Sequence, residues 1–100
     1  MLPSKYVEQG WTQNIPYRYT AEEGKLQVCA FEGIERSVRD VTITVEQKLQ
    51  YAFMLRRIIK HDKISKWNDL PGTTKGEVVE KMREVEREMG LVPNKERCHV

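Results

Sequence analysis

Between positions 56 and 66 the chain carries Arg56, Arg57, Lys60, Lys63 and Lys66, with His61 among them and Asp62 as the sole acid. Cations at that density could hold phosphates, and such binding would weaken steeply as salt rises. The same residues also suit the end of a helix, where positive charge offsets the partial negative charge of the last carbonyls. Directly after them comes Trp67-Asn68-Asp69-Leu70-Pro71-Gly72-Thr73-Thr74. Here Asn68 and Asp69 could form a partner-binding site beside the Trp67 ring. A turn would use the same residues. Asn and Asp close turns through their own backbone, Pro71-Gly72 fits the centre of a type II turn, and Thr74 can cap a following helix. Trp11, in Gly10-Trp11-Thr12-Gln13, carries two readings as well: an interface anchor, or a plug for the core.

Covalent and metal chemistry find little to work with. There is no serine in a nucleophile-elbow pattern, no glycine loop for phosphates and no pair of histidines at metal-binding spacing. Glu22 and Glu23 read as turn charge, and Glu84, Glu86 and Glu88 as surface charge. Cys98-His99 supplies two neighbouring ligands where a structural zinc site wants four. Cys29 lies in an apolar run and reads as a buried small residue, so a disulfide to Cys98 is not expected. Neither a catalytic set, a metal nor a cofactor is therefore expected.

The elements that must position these residues follow from period and capping. One hundred residues suffice for one modest core, which predicts a single domain over residues 1–92 and a tail over 93–100. Alternation at Tyr17-Arg18-Tyr19-Thr20 and Lys25-Leu26-Gln27-Val28, around a loop ending in Gly24, predicts a β-hairpin over residues 17–28. One face of that hairpin must pack on helices, since two strands alone are marginal. Ala30, Phe31, Ile34 and Val38 share one stripe of a helix over residues 30–39. Residues 40–44 read as a short extended linker.

Thr44 and Gln47 stand in capping-box relation at the start of a helix over residues 45–61. Its apolar residues, Val45, Leu49, Ala52, Phe53, Met54, Leu55, Ile58 and Ile59, spread so widely that it must be covered from two sides. Thr74 and Glu77 open a last helix over residues 75–89, with Val78, Met82, Val85 and Met89 on its stripe and Gly90 as its stop. Residues 4–9 form a shorter first helix, with Ser4 as cap. The fold class expected is α+β, mostly helical.

Net charge is weak evidence for any partner at +2, and its surplus lies in the second half: eleven basic against eight acidic side chains in residues 51–100, six against seven before. No apolar run approaches the roughly 18 residues a membrane span needs, and the first residues lack an apolar signal core, so a cytoplasmic setting is expected.

Gly10-Trp11-Thr12-Gln13, then Val28-Cys29-Ala30 leading to Gly33-Ile34, then Trp67-Asn68-Asp69 with Thr73 and Glu77-Val78, resemble a family of small uncharacterised proteins of bacteria and their phages. The resemblance spans residues 6–89. Members usually carry a longer first helix than residues 5–9 can provide. The resemblance implies a fold and a bacterial or phage setting, and transfers no catalytic residue. The function expected is a non-enzymatic binding protein working by protein–protein contact, modulating a host protein. The alternative is nucleic-acid binding through the basic cluster. Because the helix over residues 45–61 is apolar on most sides, a homodimer is expected with that helix at or near the contact.

Overall fold

The computed structural model describes residues 1–20 and 24–92. The helices α1 (Pro3–Gln9), α2 (Ala30–Arg39), α3 (Val45–Ile59), α4 (Ile64–Asn68) and α5 (Lys75–Glu88) pack with a hairpin of β1 (Tyr17–Tyr19) and β2 (Leu26–Val28), whose β1 is exposed along its length. The strands pair antiparallel with Tyr17 opposite Val28 and Tyr19 opposite Leu26. Gly24 takes the positive φ of 61° that the loop requires. β2 lies against α1 and α2, α1 packs on α2 and α5, and α3 crosses α5. The core gathers Val7, Val28, Ile34, Ile43, Leu55 and Met82, all at most 1% exposed, with one buried side chain or more from each helix. No described helix is long and apolar enough to cross a membrane.

Side-chain capping explains where α2, α3 and α5 begin. Thr44 and Gln47 make both halves of the capping box at α3: the Gln47 N–H donates to Thr44 Oγ1 at 3.0 Å and the Thr44 N–H to Gln47 Oε1 at 2.8 Å. Thr74 Oγ1 accepts from the Glu77 N–H. Cys29 caps α2 through Sγ, which accepts from the Glu32 N–H.

Several expectations are corrected. Ser4 does not cap α1; Leu2 holds that position with Pro3 as first helical residue, where its missing N–H costs nothing. α3 stops at Ile59 rather than 61, because Lys60 turns into the left-handed region at φ 55°. Residues 64–68, in the link between the two long predicted helices, form the one-and-a-half-turn α4. The turn after it is closed by the Thr73 N–H to the Leu70 carbonyl, yet Gly72 takes no positive φ, so it is not type II. The link over 40–44 is a tight turn rather than extended: Val41 takes φ 66°, while the N–H groups of Thr42 and Ile43 both reach the Ser37 carbonyl. Phe31 leaves the α2 stripe for the surface, and Glu32 is buried instead beneath Arg36 and Arg39. The predicted turn charges Glu22 and Glu23, the tail over 93–100 and its Cys98-His99 pair lie outside the described residues.

Candidate functional site

The four residues singled out for partner binding meet in one place. Trp67 is buried on the inner face of α4 beside Ile64. Asn68, next along, is fully buried and uses its whole hydrogen-bonding capacity. Its Oδ1 accepts from Trp11 Nε1 at 2.7 Å and from the Ala30 N–H at 3.0 Å; its Nδ2 donates to the Thr12 carbonyl at 3.0 Å and to Asp69 Oδ1 at 3.1 Å. Gln13 adds a clamp, donating from Nε2 to the carbonyls of Asn68 and Leu70, both at 3.0 Å. The Asn14 N–H closes on Asp69 Oδ1 at 2.7 Å, and Thr73 Oγ1 donates to the Trp67 carbonyl at 2.8 Å.

Gly10 permits this approach. Its N–H ends α1, its carbonyl accepts from the Val28 N–H, and a Cβ there would stand 2.3 Å from the Leu26 carbonyl oxygen. The early Gly-Trp-Thr-Gln stretch and the late Trp-Asn-Asp stretch are thus two halves of one internal clasp, with the start of α2 as a third strand of the knot. A clasp whose polar groups are spent on the chain itself holds the fold together. Of the four residues, only Trp11 and Asp69 are half-buried and reach the surface.

The basic cluster is arranged differently. Lys60 splays the chain at the end of α3, leaving Arg57, Lys60, Lys63 and Lys66 exposed and Arg56 half-buried. Among the described residues none of these five forms an ion pair. By contrast Lys5 and Arg83 pair with Glu8, Arg36 and Arg39 with Glu32, and Lys48 with Glu35. Asp62 lies beside His61, whose Nδ1 accepts from the Lys63 N–H.

The outer face of α3 runs into that cluster. Tyr51, Ala52 and Leu55 turn inward, while Val45, Leu49 and Phe53 are 61%, 63% and 55% exposed. Their spacing of four residues sets them in one row along the helix. Arg57 lies over the Phe53 ring at 5.8 Å from its centre. Glu46 and Gln50 flank the row, exposed. Contact from two sides reaches Met54, Ile58 and Ile59, which are half-buried, and does not reach this row.

Glu86, read as surface charge, is 1% exposed. Its Oε1 accepts from Ser4 Oγ at 2.6 Å, and its Oε2 from the Ser4 N–H at 2.8 Å and the Tyr51 hydroxyl at 2.6 Å. Burial pushes the Tyr51 hydroxyl pKa well above its ordinary value, and the Glu86 carboxylate beside it adds to that. A legible signal existed: Glu86 stands four residues after Met82 and eight after Val78, on the buried side of α5. Serine, carboxylate and phenol in one chain would suit proton transfer, but both carboxylate oxygens are occupied and enclosed. The Cys29 thiol is likewise buried, and burial pushes its pKa up. No three His, Cys, Asp or Glu side chains converge on a metal position among the described residues.

Comparison with curated proteins gives no match, and comparison with solved structures gives none either. A family model does match, over residues 5–88, a span that takes in every strand of the clasp and all of α3. The chain belongs to the family of unknown function DUF6197.

Proposed function

We propose that this domain is a small non-enzymatic binding protein of the cytoplasm that docks another protein through the outer face of α3. The row Val45, Leu49 and Phe53 carries the reading. Three large apolar side chains, each more than half exposed and in register on one helix, form the kind of contiguous patch that marks an interface. Phe53 under Arg57 supplies an aromatic and arginine pair of the sort that anchors such contacts. In the bacterial or phage setting implied by the sequence resemblance, the docked protein belongs to the host.

Photo-cross-linking tests this directly. A benzoylphenylalanine replacing Leu49 in the native host should give a discrete protein adduct, and one replacing Glu80 on the far helix should give none. An adduct at twice the mass of the chain identifies the homodimer. No adduct, or the same adducts from both positions, removes α3 as the docking face.

A second reading, nucleic-acid binding, is favoured by the absence of ion pairs at Arg56, Arg57, Lys60, Lys63 and Lys66 among the described residues. It expects affinity for generic duplex to fall by a factor on the order of a hundred or more between low and physiological salt. Replacing Arg56, Arg57 and Lys60 with glutamine should flatten that dependence. Absence of binding at low salt retires this reading.

A further inference from the structure

We propose that the partner seated on α3 is an acidic amphipathic helix, its apolar row against Val45, Leu49 and Phe53 and its carboxylates against the basic end. This inference rests on the docking role of α3 and names what docks there.

The shape of the surface sets the length of its occupant. From Val45 to Lys60 the face extends about 22 Å, the span of a helix of roughly four turns. An amphipathic helix meets such a surface through anchors three or four residues apart, which is the spacing of the row itself. Charge then selects among occupants. Arg56, Arg57 and Lys60 close the C-terminal end of the row, Lys63 and Lys66 follow at the start of α4 and within it, and Asp62 and Glu46 are the acids of the exposed α3 face and the link after it. None of the five has a carboxylate partner among the described residues, so each keeps its full capacity to receive one.

A second copy of the chain meets this surface poorly. Laid antiparallel along α3 it brings Glu46 alone toward five cations, and laid parallel it sets cation against cation. A nucleic acid would satisfy the charges but would leave Val45, Leu49 and Phe53 against water. An acidic helix with an apolar row satisfies both at once. Opposite charge at one end also fixes its direction, because reversing the helix would move its carboxylates away from the cations.

The test uses the full chain and two fluorescein-labelled synthetic helical peptides with the same leucine row, one with glutamate and one with lysine on the flanks. The glutamate peptide should bind at least about tenfold tighter in an anisotropy titration, a difference worth about 1.4 kcal/mol. Replacing its leucines by alanine should cost it about tenfold or more, as should Leu49→Asp in the protein, with circular dichroism unchanged. Arg57→Glu with Lys60→Glu should reverse the preference toward the lysine peptide. Equal binding of the two peptides, or no binding of the glutamate peptide near about 100 µM, overturns the proposal. So does retention of full affinity by the alanine peptide, which would leave charge alone in control. Phosphatidylserine vesicles that outcompete the glutamate peptide for the wild-type protein, and not for Leu49→Asp, would identify a membrane surface instead and likewise overturn it. If the Leu49 cross-link forms while the peptides fail, α3 docks a protein of other chemistry; if the cross-link fails, the docking role itself falls.

Discussion

Asn68→Ala should bring the domain close to unfolding in plain buffer. The substitution strips partners from the Trp11 indole N–H, the Ala30 N–H and the Thr12 carbonyl together. A buried polar group left unpaired costs about 1–3 kcal/mol, so three such losses come to roughly 3–9 kcal/mol. Domains of this size hold only about 5–15 kcal/mol in total. Asn68→Asp should be nearly as harmful despite its identical shape: it loses both N–H donors and sets a second carboxylate beside Asp69. Trp11→Phe, which removes one of the four contacts and keeps most of the ring, should cost far less. Urea denaturation read by circular dichroism decides the matter. A wild-type midpoint for Asn68→Ala, with an unchanged slope, would mean that the two Trp-bearing stretches do not depend on each other.

Glu86→Ala is expected to follow closely, with a loss of about 3–5 kcal/mol. The carboxylate receives three donors, the Ser4 N–H, the Ser4 hydroxyl and the Tyr51 hydroxyl. Hydrogen bonds to a charged group contribute about 1.5–3 kcal/mol each; the two Ser4 donors would be stranded, while the Tyr51 hydroxyl would keep the Met82 carbonyl at 3.1 Å. The contact also ties α1 to α5 across 82 residues of sequence, so the first helix should loosen before the rest. Tyr51→Phe removes a single donor and should cost about 1–2 kcal/mol. In the Tyr51→Phe, Glu86→Ala double variant the two costs should fail to add, because both substitutions remove the same hydrogen bond. Strict additivity in a denaturation cycle would show that the pair does not interact. Hydrogen exchange supplies the positional check: amides of Tyr6 and Val7 should lose protection in Glu86→Ala ahead of those in α5.

Much of the backbone was settled by local rules that act over a few residues. The alternation around Tyr17 and Val28, the positive φ available to Gly24, and the side chains of Thr44, Gln47 and Thr74 each act within one turn or one hairpin. The positions of β1, β2, α2, α3 and α5 are therefore written into short stretches of sequence. α4 escaped that logic. Five residues are too few for a period, and the helix exists because Ile64 and Trp67 bury one side against α2 and α3.

The partners of long-range contacts were decided by the tertiary structure alone. Trp11 and Asn68 are 57 residues apart and meet only once α1, β2 and α4 have been placed. Before that, each Trp-bearing stretch carries a binding reading beside a structural one, a turn for residues 67–74 and a core plug for Trp11. Ser4 looked like a cap because a serine before a short helix can always serve as one; the approach of Glu86 from α5 gave it another use. The same dependence governs α3. Its sequence shows apolar residues on most sides, but period alone cannot tell a covered face from an open one. Cover depends on which elements remain to supply it, and here α5 and α4 take the side bearing Tyr51, Ala52 and Leu55. No described element covers Val45, Leu49 and Phe53, which stay more than half exposed, and that open row is what the proposed docking rests on.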